Sequence, residues 1–284
     1  MTPAQLSRTV LRTVRQAIGD GALGELPVGA MPERITVGRP PRPGCGDYAT
    51  NAALRLAAVT GQPPRRVAEA LRDRLAREEG IARVAVAGPG FLNITVSGEA
   101  RAALVRALVE GDGFRGDSGG SPEAGSAAGS PHLAEHCDPA RDVPRWAAAT
   151  GERPSLEQRE SNPLFLVQYA HARARALLRG ARDLGFGPEA GAGGHPYDDP
   201  RELALLGLLA EYGRIRGGAP DRLARHLEAV ADAFLDVHGA CPVLPSGDQK
   251  PGAAHRARLA LAQAAGTVLA GGLSRLGVTA PAHL

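Results

Sequence analysis

The chain has 284 residues, 43% of them hydrophobic and 4% aromatic, which is apolar material enough for two packed domains and argues against a disordered or collagen-like polypeptide. A formal net charge of +3 is compatible with a nucleic-acid partner but too small to require one. Three widely spaced cysteines, Cys45, Cys137 and Cys241, form no CxxC pair, which argues against a disulfide framework or a structural zinc site and points to a reducing cytoplasm.

The charge is unevenly spread. Residues 1–115 hold 16 Arg against 11 acidic residues, net +5; residues 116–159 hold 4 Arg against 7, net −3; residues 160–284 hold 12 Arg and one Lys against 12, net +1. Lys250 is the chain's only lysine, so any chemistry that needs a lysine amine falls to it. The opening residues lack the apolar core of a signal peptide. No apolar run approaches transmembrane length.

In chain order, Thr2-Pro3 predicts a helix start, with Leu6, Val10, Val14 and Ala17 on one side. A Gly/Pro-rich stretch comes next, then a short strand at Ile35-Thr36-Val37. The loop "GRPPRPGCGDYATN" leads into a helix through Leu56, with Asp47 suited to cap it. Pro63-Pro64 opens another helix burying Val67, Leu71 and Leu75. In "IARVAVAGPGFLNITVS" the apolar positions alternate at Val84 and Val86, and again at Leu92, Ile94 and Val96. Gly88-Pro89-Gly90 lies between them, which reads as a β-hairpin. A helix over 99–110 closes this unit. The first domain is therefore a small α+β unit over 1–115, an antiparallel sheet with helices.

Residues 116–160 read as a linker: "GDSGGSPEAGSAAGSP" is Gly/Ser/Ala-rich, and the remainder of the segment has weak periodicity. Within it "HLAEHC" sets His132, His136 and Cys137 at ligand-like spacing, but a metal site needs a fourth ligand and an ordered scaffold, so no metal is expected. From 161 to 284 the pattern is that of an all-α bundle. Asn162-Pro163 opens a long helix with Val167, Ala170, Ala174 and Leu177 on one stripe. Gln168, His171, Arg175 and Arg179 lie on another, roughly opposite. Asp199-Pro200 caps the next helix. Further apolar stripes run through Leu223, Leu227, Val230 and Phe234, and through Leu259, Ala262, Leu269 and Leu273.

"GDYATNAALRLAAVTGQPPRRVAEALRDRL", with the later "GPGFLN", resembles the N-terminal additional domain of arginyl-tRNA synthetases. "NPLFLVQYAHARARALLRGA", "ARHLEAVADAFLDVHGACPVL" and "RARLALAQAAGTVLAGGLSRLGV" resemble the same enzymes' helical, DALR-type anticodon-binding domain. The two matches are collinear and cover most of the chain outside the linker. In the family a nucleotide-binding catalytic domain stands between them, with His-x-Gly-His and Lys-Met-Ser-Lys motifs around the ATP phosphates. None of the eight histidines fits the first motif, Lys250 lies in "GDQKPG", and residues 116–160 are too few for a nucleotide fold. The resemblance thus implies a non-catalytic tRNA-binding relative without a cofactor, touching the tRNA elbow and the anticodon arm. The alternative is a protein–protein adaptor that partners a genuine synthetase or another enzyme through the surface left by the missing domain.

Strand periodicity puts two candidate RNA contacts, Phe91 and Asn93, together on the face opposite Leu92 and Ile94, an aromatic beside an amide, suited to an unstacked base. The resemblance places this hairpin near the tRNA elbow. Tyr48 and Asn51 match the family's loop-to-helix motif and either brace the hairpin or touch RNA. Gln168, Arg175 and Arg179 are placed to track a phosphate backbone. Tyr169 and His171 belong to a motif that, in the family, joins the anticodon domain to the catalytic body. The ending "APAHL" departs from the family's usual terminal Met, which puts the corresponding anticodon contacts in doubt.

Overall fold

The computed structural model of the chain describes residues 1–23, 32–42, 44–111, 133–134, 136–153 and 155–284. These fall into two compact units, Met1–Arg101 and Ala102–Leu284.

In the first unit, α1 (Pro3–Gly19) starts on a reciprocal capping box. The Gln5 backbone N–H donates to the Thr2 hydroxyl, and the Gln5 side-chain oxygen accepts from the Thr2 backbone N–H. Leu6, Val10, Val14 and Ala17 are fully buried, as the helical period requires. The sheet has four antiparallel strands in the order β1-β2-β4-β3: β1 (Val37–Gly38), β2 (Tyr48–Thr50), β3 (Ile81–Ala87) and β4 (Phe91–Val96). β1 starts two residues later than the sequence suggests. Ile35 is buried ahead of it, and its carbonyl accepts from the Ser7 hydroxyl.

"GDYATN" does not run directly from loop to helix. Tyr48–Thr50 forms β2, which completes the ladder beside β4, and α2 begins only at Ala52 (Ala52–Thr60). Asp47 consequently caps no helix. Its carboxylate accepts from the Val96 N–H at 2.8 Å and from the Arg101 guanidinium at 3.0 Å, tying the start of β2 to the end of β4. The N-cap position falls on Asn51, whose side chain makes no cap bond. The Thr50 hydroxyl takes that role, accepting from Ala52 N at 3.3 Å. α2 ends at left-handed Gly61 (φ 68°), and α3 (Pro64–Leu75) buries Val67, Leu71 and Leu75 completely. In the hairpin, Leu92 and Ile94 are fully buried and Val96 nearly so. The alternation expected of β4 is the one observed.

α4 (Gly98–Val109) spans the division between the units. The second unit continues with β5 (Leu133–Ala134), α5 (Pro139–Thr150), α6 (Pro163–Asp183), α7 (Pro200–Ile215), α8 (Pro220–Ala240), α9 (Ala253–Arg275) and β6 (Ala280–Pro281). α5 lies in the stretch whose periodicity is too weak to signal a helix. It is capped by the Asp138 carboxylate, contains Pro144, and buries only Asp142 and Trp146. β5 pairs in parallel with β6, Leu133 opposite Ala280.

Small residues set the spacing of the bundle. A Cβ added at Gly266 of α9 would sit 3.3 Å from the Ala174 Cβ of α6, and one at Gly272 would sit 2.3 Å from a Leu227 methyl of α8. Asp199 caps α7 through Arg201 N at 2.8 Å, as its sequence context predicts.

Candidate nucleic-acid interface

Asn93 lies between Ala49 of β2 and Ala85 of β3, and Phe91 lies opposite Ala87. Three alanines beside one aromatic and one amide leave the outer sheet face low around the ring. Phe91 is 43% exposed. The loop after β1 supplies Arg39, Pro41, Arg42 and Cys45, and together with Thr36, Gly38, Asn51 and the Gly88-Pro89 turn they complete a cleft of ≈ 550 Å³. Such a cleft has an apolar floor for a planar ring, an amide able both to donate and to accept, and guanidinium groups at its edge. The structure therefore brings Phe91, Asn93 and Asn51 together.

Tyr48 is not among them. It is 4% exposed, on the core side of β2, and its hydroxyl donates to the Met1 carbonyl at 3.1 Å. Its position is the bracing one of the two roles its motif allows.

The polar stripe of α6 also has a definite environment. Gln168 is 5% exposed; its amide donates to the Asp142 carboxylate at 3.1 Å and to the Thr279 carbonyl at 3.0 Å. His171, 1% exposed, meets the Pro281 carbonyl at 2.8 Å through Nδ1, so that nitrogen carries the proton. Burial foremost, and then the nearby Arg175 charge, lower its pKa against the raising effect of that bond. Arg179 donates to the Ala282 carbonyl at 3.2 Å. Gln168, His171 and Arg179 of α6 thus bind the backbone carbonyls of Thr279, Pro281 and Ala282. Arg175 is half-buried on the same helix, without a carboxylate partner among the described residues. Asp142 anchors the assembly: 1% exposed, it accepts from the Thr279 backbone at 3.0 Å and from the Thr279 hydroxyl at 2.9 Å.

A different face of α6 escapes sequence reasoning. Phe165, Tyr169 and Arg173 recur every fourth residue and so stack along one side. The rings of Phe165 and Tyr169 lie 5.8 Å apart and 14° from parallel, both half-exposed, with Arg173 exposed. Arg173 Nε donates to Nε2 of His238 on α8 at 2.7 Å, and that imidazole stacks 6.4 Å from Phe234. The signal is present as an aromatic–aromatic–arginine row at helical spacing; it is hidden because the family motif gives Tyr169 to domain joining. Aromatic rings continued by a cation suit bases continued by a phosphate.

Of the other sequence candidates, His132 lies outside the described residues. Among those described, no group of three or more His, Cys, Asp or Glu residues is placed to hold a metal ion, and no helix is long and apolar enough to cross a membrane.

Comparison with known proteins gives two family matches. Residues 8–96 match the arginyl tRNA synthetase N terminal domain, and residues 167–284 match the DALR anticodon binding domain. Among curated proteins, the chain is 44% identical over 109 residues to the arginine–tRNA ligase of Frankia alni, an alignment covering 38% of this chain and 19% of that ligase. The match therefore spans about a fifth of that relative's length.

Proposed function

We propose that this chain, related to the arginyl-tRNA synthetases through both of its modules, binds tRNA without charging it. The observation that carries the reading is the cleft beneath the β1–β2 loop, where exposed Phe91 stands beside Asn93 with arginines at the rim. It supports capture of an unstacked base, the kind a tRNA elbow offers, and the matched N-terminal domain supports the same ligand. The aromatic row on α6, whose Tyr169 and Arg173 fall inside the DALR match, supports a second set of RNA contacts. Of the three candidate RNA contacts on the α6 stripe, Arg175 and Arg179 remain contact candidates, while Gln168 acts inside the protein. Against aminoacylation stands the interval between the matches: residues 97–166, whose described part holds α4, β5, α5 and the start of α6, are too few for a nucleotide-binding domain.

The test is binding of unfractionated tRNA across a salt series, together with arginine-dependent pyrophosphate exchange and charging. The expected outcome is salt-sensitive binding, because phosphate contacts release counterions, with no exchange and no charged product. Exchange that persists after removal of contaminating synthetase would overturn the non-catalytic part; absence of binding at low salt would overturn the RNA part.

One observation favours the adaptor reading. α8 carries Glu228, Asp232 and Asp236 in a row. Burial first and then neighbouring carboxylates (Glu152 and Asp232 for Glu228, Asp236 and Glu160 for Asp232) raise the pKa of the first two. Such a face repels a phosphate backbone and suits a basic protein surface. Capture of a defined protein with no tRNA binding would favour this second function.

A further inference from the structure

We infer that Arg173 and His238 form a proton-gated phosphate subsite on the face shared by α6 and α8. The inference rests on the RNA-binding reading for the source of the phosphate; the gate itself rests on geometry. Arg173 Nε donates to His238 Nε2 at 2.7 Å. A ring nitrogen that accepts a hydrogen bond carries no proton, so this imidazole is neutral, with its hydrogen on Nδ1. The ring is held in place by its stack on Phe234, 6.4 Å between centroids and 13° from parallel. Among the described residues, Arg173 has no carboxylate partner.

The charges around His238 favour that neutral state. Partial burial acts first and the Arg173 charge second, and both lower the imidazole's pKa. Of the elements packed on α8, namely α5, α6, α7 and α9, α6 supplies the charged group whose field reaches the ring. The α8 carboxylate Asp236 acts on Asp232 instead.

Protonation reverses the arrangement. Nε2 gains a hydrogen and can no longer accept, and two cations are left facing each other at hydrogen-bond distance. They separate unless an anion bridges them. A phosphate group does so with two non-bridging oxygens, one accepting from Nε2–H and one from the guanidinium. Proton uptake and phosphate binding therefore favour each other, and the coupling is reciprocal. Bound phosphate raises the pKa of His238. RNA affinity is constant above the pKa of the bound state, rises as pH falls toward the pKa of the free state, and levels off below it.

The full chain tests this in two ways. By NMR, the His238 ring in the free protein should titrate below the ordinary histidine value. Replacing chloride with inorganic phosphate at equal ionic strength should move that titration upward. Affinity for unfractionated tRNA should then rise between about pH 8 and about pH 5.5 by up to about tenfold per unit, the ceiling for one proton taken up. His238→Gln should flatten that rise while leaving the salt dependence in place. Arg173→Gln should raise the titration of His238 in the free protein and also flatten the profile, which serves if the first variant folds poorly. Superimposable pH profiles for wild type and His238→Gln, with a titration indifferent to phosphate, would overturn the gate and leave RNA binding standing. If tRNA binds at no pH, the functional reading fails, and the response of His238 to inorganic phosphate alone decides the gate.

Discussion

At Phe91 the hairpin presents an aromatic ring that faces Ala87 across the ladder, with Asn93 next to it on the same face. The ring is 43% exposed while Leu92 beside it is fully buried, so the two positions separate binding from folding. Phe91→Ala should weaken tRNA binding by roughly 1–3 kcal/mol if the ring stacks on an unpaired base, with little change in melting temperature. A large fall in melting temperature at unchanged affinity of the folded fraction would make the ring a structural one. Asn93→Ala should cost less affinity and blur the choice of base. Residue identity alone does not distinguish Phe91 from a core phenylalanine; only the period of two does so. The same kind of reading fails at Asp47, because three residues that look like a helix approach pair with β4 instead.

At the scale of elements, strong periodicity is legible and weak periodicity is not. α1, α3, α6, α8 and α9 are given by apolar spacing, and β4 by alternation. α5 carries no such signal, because its buried side chains are a carboxylate and an indole rather than an apolar stripe. The pairing of β5 with β6 joins segments far apart in sequence, which local pattern cannot report. The α6 stripe is legible as a stripe but not in its object: its side chains meet carbonyls of residues 279–282, and the density of donors on a helix says nothing about which acceptors arrive. The crossing of α8 and α9 yields a sharp prediction. A methyl at Gly272 would come within 2.3 Å of Leu227, which is itself fully buried. Gly272→Ala should therefore destabilise the protein by about 1–3 kcal/mol through overpacking, despite the better helix propensity of alanine. Chemical denaturation measures it. Leu227→Ala should cost less in the Gly272→Ala background than in the unaltered chain if the clash is the cause.

For the whole molecule, charge placement rather than net charge is what matters. The acidic row of α8 gives folding a pH dependence of definite sign. Glu228 has its pKa raised by burial and then by Glu152 and Asp232, so the folded state binds a proton more readily than the unfolded one. Between the ordinary glutamate value and the raised one, stability falls as pH rises. Above that window the penalty is fully present, and below it the penalty is absent. Glu228→Gln should therefore raise the melting temperature at neutral pH, and the gain should disappear below about pH 4. An equal gain at both ends, measured by calorimetry, would mean that the charge is not the cause.

The Asp142 network has a spectroscopic consequence. Trp146, the chain's single tryptophan, lies one turn beyond Asp142 on α5, is 4% exposed, and donates through its indole nitrogen to Glu152 at 3.3 Å. Its emission therefore reports the seating of α5 in the second unit. Far-ultraviolet dichroism, by contrast, reports the helices of both. The two signals together separate the assembly of one unit from that of the other in the unaltered protein, with no label attached.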